Sequence, residues 1–213
     1  MGSSGSVKIQ VWVDVTCPWC WLGKHHLEAA LERAGIDADV EYMAFELDPN
    51  RTSPATLREY LTSKYGDTSR LDQAHGYLAS AGSKVGLTYD FDRAVVTNTF
   101  AAHRLHNHAK SVGKGPPVME RLMRARQGEG ADLSSPATLV RLAGEAGLSA
   151  DEAARVIADP RARADEVRAE EEQARELGIH GVPYFVLDGR LGVSGAQPID
   201  VLVEALREAS KSK

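Results

Sequence analysis

Val7, Ile9, Val11, Val13 and Val15 alternate with Lys8, Gln10, Trp12 and Asp14, a period of two that predicts a β-strand. The pattern then lengthens to that of a helix from Trp19 to Ala34, ended by Gly35. Val40, Tyr42, Ala44 and Phe45 mark a second strand within Asp39 to Phe45, so the first fifty residues read as a βαβ unit. From about Ser53 to Asp159, helix starts and stops follow one another. Ser53-Pro54 and Ser135-Pro136 pair a capping residue with Pro at the first helical position, and Ser149 to Glu152 reads as a capping box. Gly86, Gly113 and Gly147 stand where helices should end. These signals predict helices near 54–65, 69–84, 97–112, 116–127, 136–146 and 150–158, with Leu87 to Val96 as a connector. A charged amphipathic helix follows from Arg163 to Leu177, closed by Gly178. Tyr184 to Leu187 reads as a strand, Asp188-Gly189 as a hairpin turn, Arg190 to Val193 as the returning strand and Pro198 to Ala209 as a last helix.

The order is therefore βαβ, a helical block, then αββα. It predicts an α/β chain with a thioredoxin-like fold interrupted by an inserted all-helical domain. Residues 7–52 and 160–213 form the discontinuous thioredoxin-like domain and 53–159 the insert. The two halves of the sheet must pack side by side across the insert. Met1 to Ser6 (1–6) reads as a cloning scar and is set aside.

At 213 residues the chain has room for one large domain or two small ones. A net charge of −5 gives no basic footprint for nucleic acid. No apolar run is long enough to span a membrane, and no signal peptide is visible.

Composition changes the picture most through cysteine. Cys17 and Cys20 are the only two, held in Cys17-Pro18-Trp19-Cys20 between the first strand and the first helix. Without other cysteines there is no structural disulfide framework, which agrees with a reducing cytoplasm. The first sulfur sits at a helix N-terminus, where free N–H groups and the positive end of the dipole favour a thiolate. Pro18 suits the first turn, and Thr16 reads as the N-cap. Zinc would need four ligands; no second pair of cysteines exists, and His103, His106 and His108 would complete a site only by long-range coincidence. A strand–CxxC–helix context reads instead as a redox motif, with no metal.

Five stretches resemble the DsbA family of thioredoxin-like proteins, in its FrnE-like branch: Cys17 to Lys24, Asn98 to Leu105, Gly128-Glu129-Gly130, Gly181 to Val186 and Ser194 to Gln197. The resemblance implies a thiol–disulfide oxidoreductase or disulfide isomerase acting on protein or peptide thiols. Relatives of that branch include glutathione-dependent 2-hydroxychromene-2-carboxylate isomerases and kappa-class glutathione transferases, which typically carry Ser where this chain has Cys17. Arg121 to Gln127 departs from the branch in lacking the aromatics common before the Gly-Glu-Gly region, which bears on the substrate surface.

In the family a cis-proline faces the CxxC, and Pro183 matches it by motif, which would leave the backbone of Val182 to pair with an extended substrate. His180 reads as a solvated loop histidine or as a group approaching Cys17. Asn98 and His103 resemble family positions that line the cleft or serve packing. Trp19 reads as a hydrophobic rim, whereas Trp21 and Leu22 face the core. The catalytic candidates are thus Cys17, the attacking thiolate, and Cys20, the resolving thiol; the substrate-binding candidates are Pro18, Trp19, Val182, Pro183, His180, Asn98 and His103. The cycle needs no bound cofactor, with glutathione as reductant or co-substrate, and no nucleic-acid or membrane partner. Two rival readings are a glutathione-dependent isomerase or transferase acting on a small aromatic molecule, and a chaperone-like binding module.

Overall fold

The computed structural model describes residues 6–66 and 69–211, so the stretch 1–6 that reads as a scar lies, but for Ser6, outside the described residues. A four-stranded sheet in the order β2-β1-β5-β6 is built from β1 (Val7–Val13), β2 (Ala38–Ala44), β5 (Tyr184–Leu187) and β6 (Leu191–Ser194). Strands β1 and β2 run parallel, joined by α1 (Pro18–Ala34), as a parallel pair requires. Strand β5 lies antiparallel to β1, with Ile9 opposite Leu187 and Val11 opposite Phe185. The two halves of the sheet therefore pack side by side across the insert. The β5–β6 hairpin, with Leu187 opposite Leu191, turns through Asp188 (φ 51°), Gly189 (φ 68°) and Arg190, and Arg190 N donates to the Leu187 carbonyl at 3.1 Å. Asp188 also binds both backbone groups of Lys8, its N–H to the carbonyl at 2.7 Å and its Oδ1 to the N–H at 2.9 Å, which pins the hairpin to the edge of β1.

An alternating strand is ordinarily half-exposed, and Lys8 of β1 does stay open and Gln10 partly so, but Trp12 on that same face is fully buried because the C-terminal half of this central strand is covered on both sides. Val7, Ile9, Val11 and Val13 join a core with Leu22, Leu27 and Ala30 of α1 and Leu202, Val203 and Leu206 of α9 (Ile199–Lys211). Burying one such leucine contributes roughly 1.5–3 kcal/mol. Trp12, on the other face, packs with Met43, Ala174 and Val186. Its indole N–H donates to the Glu170 carbonyl at 3.0 Å, and the Glu170 carboxylate accepts from Ala44 N at 2.7 Å. Glu170 thereby fixes α8 (Ala164–Glu176) over β1 and β2.

Between β2 and α8 stand β3 (Ala55–Thr56), α2 (Leu57–Tyr65), α3 (Ser69–Ser83), β4 (Val95–Val96), α4 (Phe100–Ser111), α5 (Gly115–Gly128), α6 (Pro136–Glu145) and α7 (Ala150–Ala158). This insert is helical but for the two-residue ribbon of β3 with β4, the latter inside the expected connector. The ribbon moves the start of α2. Ser53-Pro54 does not cap it, because Ala55 and Thr56 are first used in pairing; Thr56 caps instead, in a reciprocal box with Glu59. Ser135 and Ser149 cap α6 and α7 as the pattern predicts. Leu78, Leu105, Met119 and Leu122 of the insert share one continuous core with Cys20, Trp21 and Leu22.

Candidate active site

The turn between β1 and α1 is set by Asp14. Its backbone carbonyl accepts from Cys17 N at 3.0 Å, and its Oδ1 accepts from Thr16 N at 3.1 Å. The expected N-cap at Thr16 is thereby displaced: Thr16 is held by Asp14, and Cys17 itself is the N-cap, extended at φ −83° and ψ 115° with Pro18 opening the helix. Cys20 N donates to the Cys17 carbonyl at 3.1 Å, closing the first turn. Both cysteines are free thiols. Cys17 keeps 6% exposure and Cys20 none. Burial pushes the Cys20 thiol well above the ordinary cysteine range, and the neighbouring Cys17 and the charge of Asp14 add to it.

The loop before β5 comes to the same place. The Val182–Pro183 bond is cis, and the Cys17 thiol lies 3.6 Å from the Val182 carbonyl, which accepts from it. Pro183 in turn packs on Gly23: a Cβ there would fall 2.8 Å from the Pro183 Cγ. Only glycine lets helix and loop approach so closely.

In front of Cys17 lies a cavity of about 300 Å³ between the CxxC turn and the insert. Pro18, Trp19, Leu57, Leu61, Leu78 and Val96 give it mostly apolar walls, with Asp14, Asp48, Lys64 and His75 among the polar groups. Trp19 is no free-standing rim. It is half-buried and stacks on Tyr77 of α3 at 5.7 Å, joining the motif to the insert. The Pro18 carbonyl accepts from the Tyr89 hydroxyl at 2.9 Å.

Three of the expected site residues take other places. His180 is exposed and outside the cavity lining, so the solvated reading holds. Asn98 precedes α4 rather than lying on it. Its Nδ2 donates to Glu46 Oε1 and the Pro49 carbonyl while its Oδ1 accepts from Phe100 N, and its neighbours Thr97 and Thr99 line the cavity instead. His103 is fully buried behind the motif, with Nε2 3.7 Å from Asp14 Oδ1. That separation is too long for a hydrogen bond. Burial alone would lower its imidazole, but the carboxylates of Asp14, Glu46 and Glu170 outweigh this and raise it above the ordinary histidine range.

The sequence reading passed over Asp14, whose place in the strand alternation looked like a polar outer position. It also passed over Arg126 and Gln127 on α5, part of the stretch where the aromatics are missing. Both are buried at 1% exposure, so the departure falls on the interior beneath the motif rather than on a substrate surface. Gln127 Nε2 donates to the Val15 carbonyl at 3.0 Å. Burial pushes the Arg126 guanidinium down to about 10, against the pull of the negative charges of Asp14 and Cys17.

Residues 8–207 match the family model described as DSBA-like thioredoxin domain. Among solved structures, a probable DsbA oxidoreductase from Streptomyces coelicolor is 38% identical, with a TM-score of 0.90 over 97% of this chain and 91% of that one. Cytosolic disulfide reductase DsbM from Pseudomonas aeruginosa shares the fold at 21% identity and a TM-score of 0.68, over 97% of this chain and all of its own. A 2-hydroxychromene-2-carboxylate isomerase shares it at 16% identity and a TM-score of 0.68, with the same coverage.

Proposed function

Since the chain belongs to the DSBA-like thioredoxin domain family, we propose that it is a thiol–disulfide oxidoreductase with Cys17 as the attacking thiolate and Cys20 as the resolving thiol. The observation that carries this is the inequality of the two sulfurs. Cys17 caps the helix at the cavity wall, whereas Cys20 is sealed behind it and held protonated by burial. The Cys17 thiolate attacks one sulfur of a substrate disulfide; that S–S bond breaks and the other sulfur leaves as a thiolate. Cys20 then gives up its proton and attacks the Cys17 sulfur, releasing the second substrate thiolate and leaving Cys17–Cys20 oxidised. Run in reverse, the same steps oxidise a dithiol.

The apolar walls of the cavity support a protein or peptide substrate that carries an apolar group beside its sulfur. Glutathione serves as reductant or co-substrate in this reading, and the cysteine pair carries the electrons without a bound cofactor. The absence of further cysteines supports a cytoplasmic setting. Among the described residues no helix is long and apolar enough to cross a membrane. We place residues 7–52 with 160–213 as the catalytic unit and 53–159 as the insert that roofs the cavity.

A second reading, a glutathione-dependent isomerase of a small aromatic molecule, draws on the cavity's size, at the low end for a small-molecule site. One experiment separates the two. Each variant is mixed with an oxidised model protein and the products are resolved without reductant. Cys20→Ser should accumulate a mixed disulfide on Cys17, and Cys17→Ser should form none. Multiple turnovers of a small electrophile by Cys20→Ser would support the isomerase, and indifference to both changes a binding module. No adduct with Cys20→Ser, together with no exchange by the unaltered protein, would sink the oxidoreductase reading.

A further inference from the structure

The C-terminal turn of α5 is locked beneath the CxxC. Gln127 reaches the Val15 carbonyl, the Gln127 carbonyl accepts from Asp90 N at 2.7 Å, and Tyr89 next to it reaches Pro18. Gly128 has no room for a side chain, since a Cβ would fall 2.8 Å from the Thr88 carbonyl and 3.6 Å from the Trp21 ring. Arg126 lies in this locked turn. None of its three guanidinium nitrogens has a hydrogen-bond acceptor among the described residues. A buried cation with no compensating negative charge is costly, by several kcal/mol. Its negative neighbours are the Asp14 carboxylate and the Cys17 thiolate. Asp14 is already engaged on both oxygens: Oδ1 by Thr16 N and the His103 ring, Oδ2 by Leu47 N at 2.8 Å. Hydrogen bonds leave the Asp14 charge in place, but that charge also faces the His103 ring, whereas the Cys17 charge does not and exists only in the reduced protein.

We propose that Arg126 is the counter-charge of the Cys17 thiolate, a positioning residue that favours the reduced, attacking form over the disulfide. The proposal rests on the oxidoreductase reading for its function, though not for the pairing itself. The other groups around Cys17 do not replace Arg126. Cys20, held protonated by burial, can donate to the Cys17 sulfur but carries no charge, Asp14 repels a thiolate, and Tyr89 supplies no charge. Across the cavity Asp48 pairs with Arg51 Nε at 3.0 Å and Lys64 is exposed and bonded to the Tyr60 hydroxyl at 2.9 Å, while burial pushes the His75 imidazole down. His103 faces Asp14.

An opposite charge within a few ångströms commonly shifts a thiol or carboxyl by one or more pH units. In Arg126→Met the pH at which Cys17 alkylation by iodoacetamide inflects should therefore rise by about one unit. The equilibrium constant against a glutathione buffer should move about tenfold towards the disulfide, about 30 mV for two electrons. Arg126→Lys should restore most of both. A folded Arg126→Met with the inflection and the constant of the unaltered protein would overturn the proposal. Should Arg126→Met fail to fold, the unaltered protein answers by NMR. The Arg126 Nε–Hε signal should titrate with the Cys17 inflection in the reduced protein and stay flat in the oxidised protein and in Cys17→Ser. A flat signal in the reduced protein refutes the pairing. Alkylation and NMR need no substrate, so a failure of disulfide exchange with proteins would count against the proposed function and leave the pairing standing.

Discussion

Gly23→Ala tests whether the loop carrying Pro183 is held against α1 by contact alone. The ideal Cβ would lie 2.8 Å from Pro183 Cγ, closer than carbon atoms tolerate, and 3.3 Å from Phe185 Cζ, a tight contact. Neither neighbour can swing aside easily. The proline ring is rigid and its carbonyl accepts from Gly195 N at 2.8 Å, while Phe185 is fully buried. Overpacking of this kind costs about 1–3 kcal/mol. Against that, alanine is better than glycine inside a helix by about 1 kcal/mol. Gly76, in the middle of α3 with nothing within 4 Å of its Cβ position, isolates the helical gain. Gly76→Ala should thus be stabilised by about 1 kcal/mol, and Gly23→Ala should be neutral to about 2 kcal/mol worse. For a chain of this size a difference of 1–3 kcal/mol separates the melting temperatures by roughly 2–12 °C. Moving the loop also carries the Val182 carbonyl away from the Cys17 sulfur, so disulfide exchange with a model protein should slow by about tenfold, within the loss that an ångström of misplacement causes. Equal melting temperatures for the two variants, with unchanged exchange by Gly23→Ala, would refute the reasoning.

Glu120 accepts from Lys24 Nζ at 2.8 Å and pairs with His25 Nε2 at 3.1 Å, and these contacts outweigh burial and hold its carboxyl down at about 2. Its folded value lies below the unfolded one, so its contribution is present above about pH 4.3 and is lost as pH falls towards 2; Glu120→Gln should remove about 3 kcal/mol at neutral pH and flatten the stability profile across that window, read by denaturant melts at several pH values. Tyr89→Phe should cost about 1 kcal/mol by removing the hydrogen bond to the Pro18 carbonyl while keeping the ring packed on Trp21 and Phe91, and an unchanged melting midpoint would show that bond to be idle.

What the sequence disclosed was whatever chemistry declares itself locally. Gly35 ends α1 in the left-handed region, Asp188-Gly189 turns the hairpin, and the two cysteines stand at a strand-to-helix junction. That the two halves of the sheet lie side by side followed from element order; that β1 rather than β2 meets β5 did not. What stayed hidden depends on which surface a neighbour happens to cover. Trp12 and Asp14 occupy the polar phase of β1, and only the arrival of α8 and the insert buries them. Arg126 and Gln127 look like the solvated end of a helix until α5 is seen to lie under the motif. Thr56 could not be told from Ser53 as the start of α2, since the ribbon that decides between them needs Val95 and Val96 from forty residues away. His180 was drawn towards the site by standing three residues before Pro183, and Asn98 by its resemblance to a family position; the first is exposed, and the second turns its amide to Glu46 and Pro49 while Thr97 and Thr99 face the cavity.

The place of β1 has a consequence for how the molecule comes into being. A ribosome delivers Cys17 and Cys20 early, with β2 and α1 to hand, but the partner on the other side of β1 is β5, which is made only after the whole insert. Until then the central strand has an open edge, Val182 and Pro183 have not yet been made, and both sulfurs ride on an unfinished sheet. Contacts so distant in the chain form late, after the long loop between them has been closed. The reactive cleft is therefore completed only in the final stage of folding, and a chain halted during synthesis before residue 180 would display two cysteines with the insert on one side and no Val182–Pro183 loop on the other.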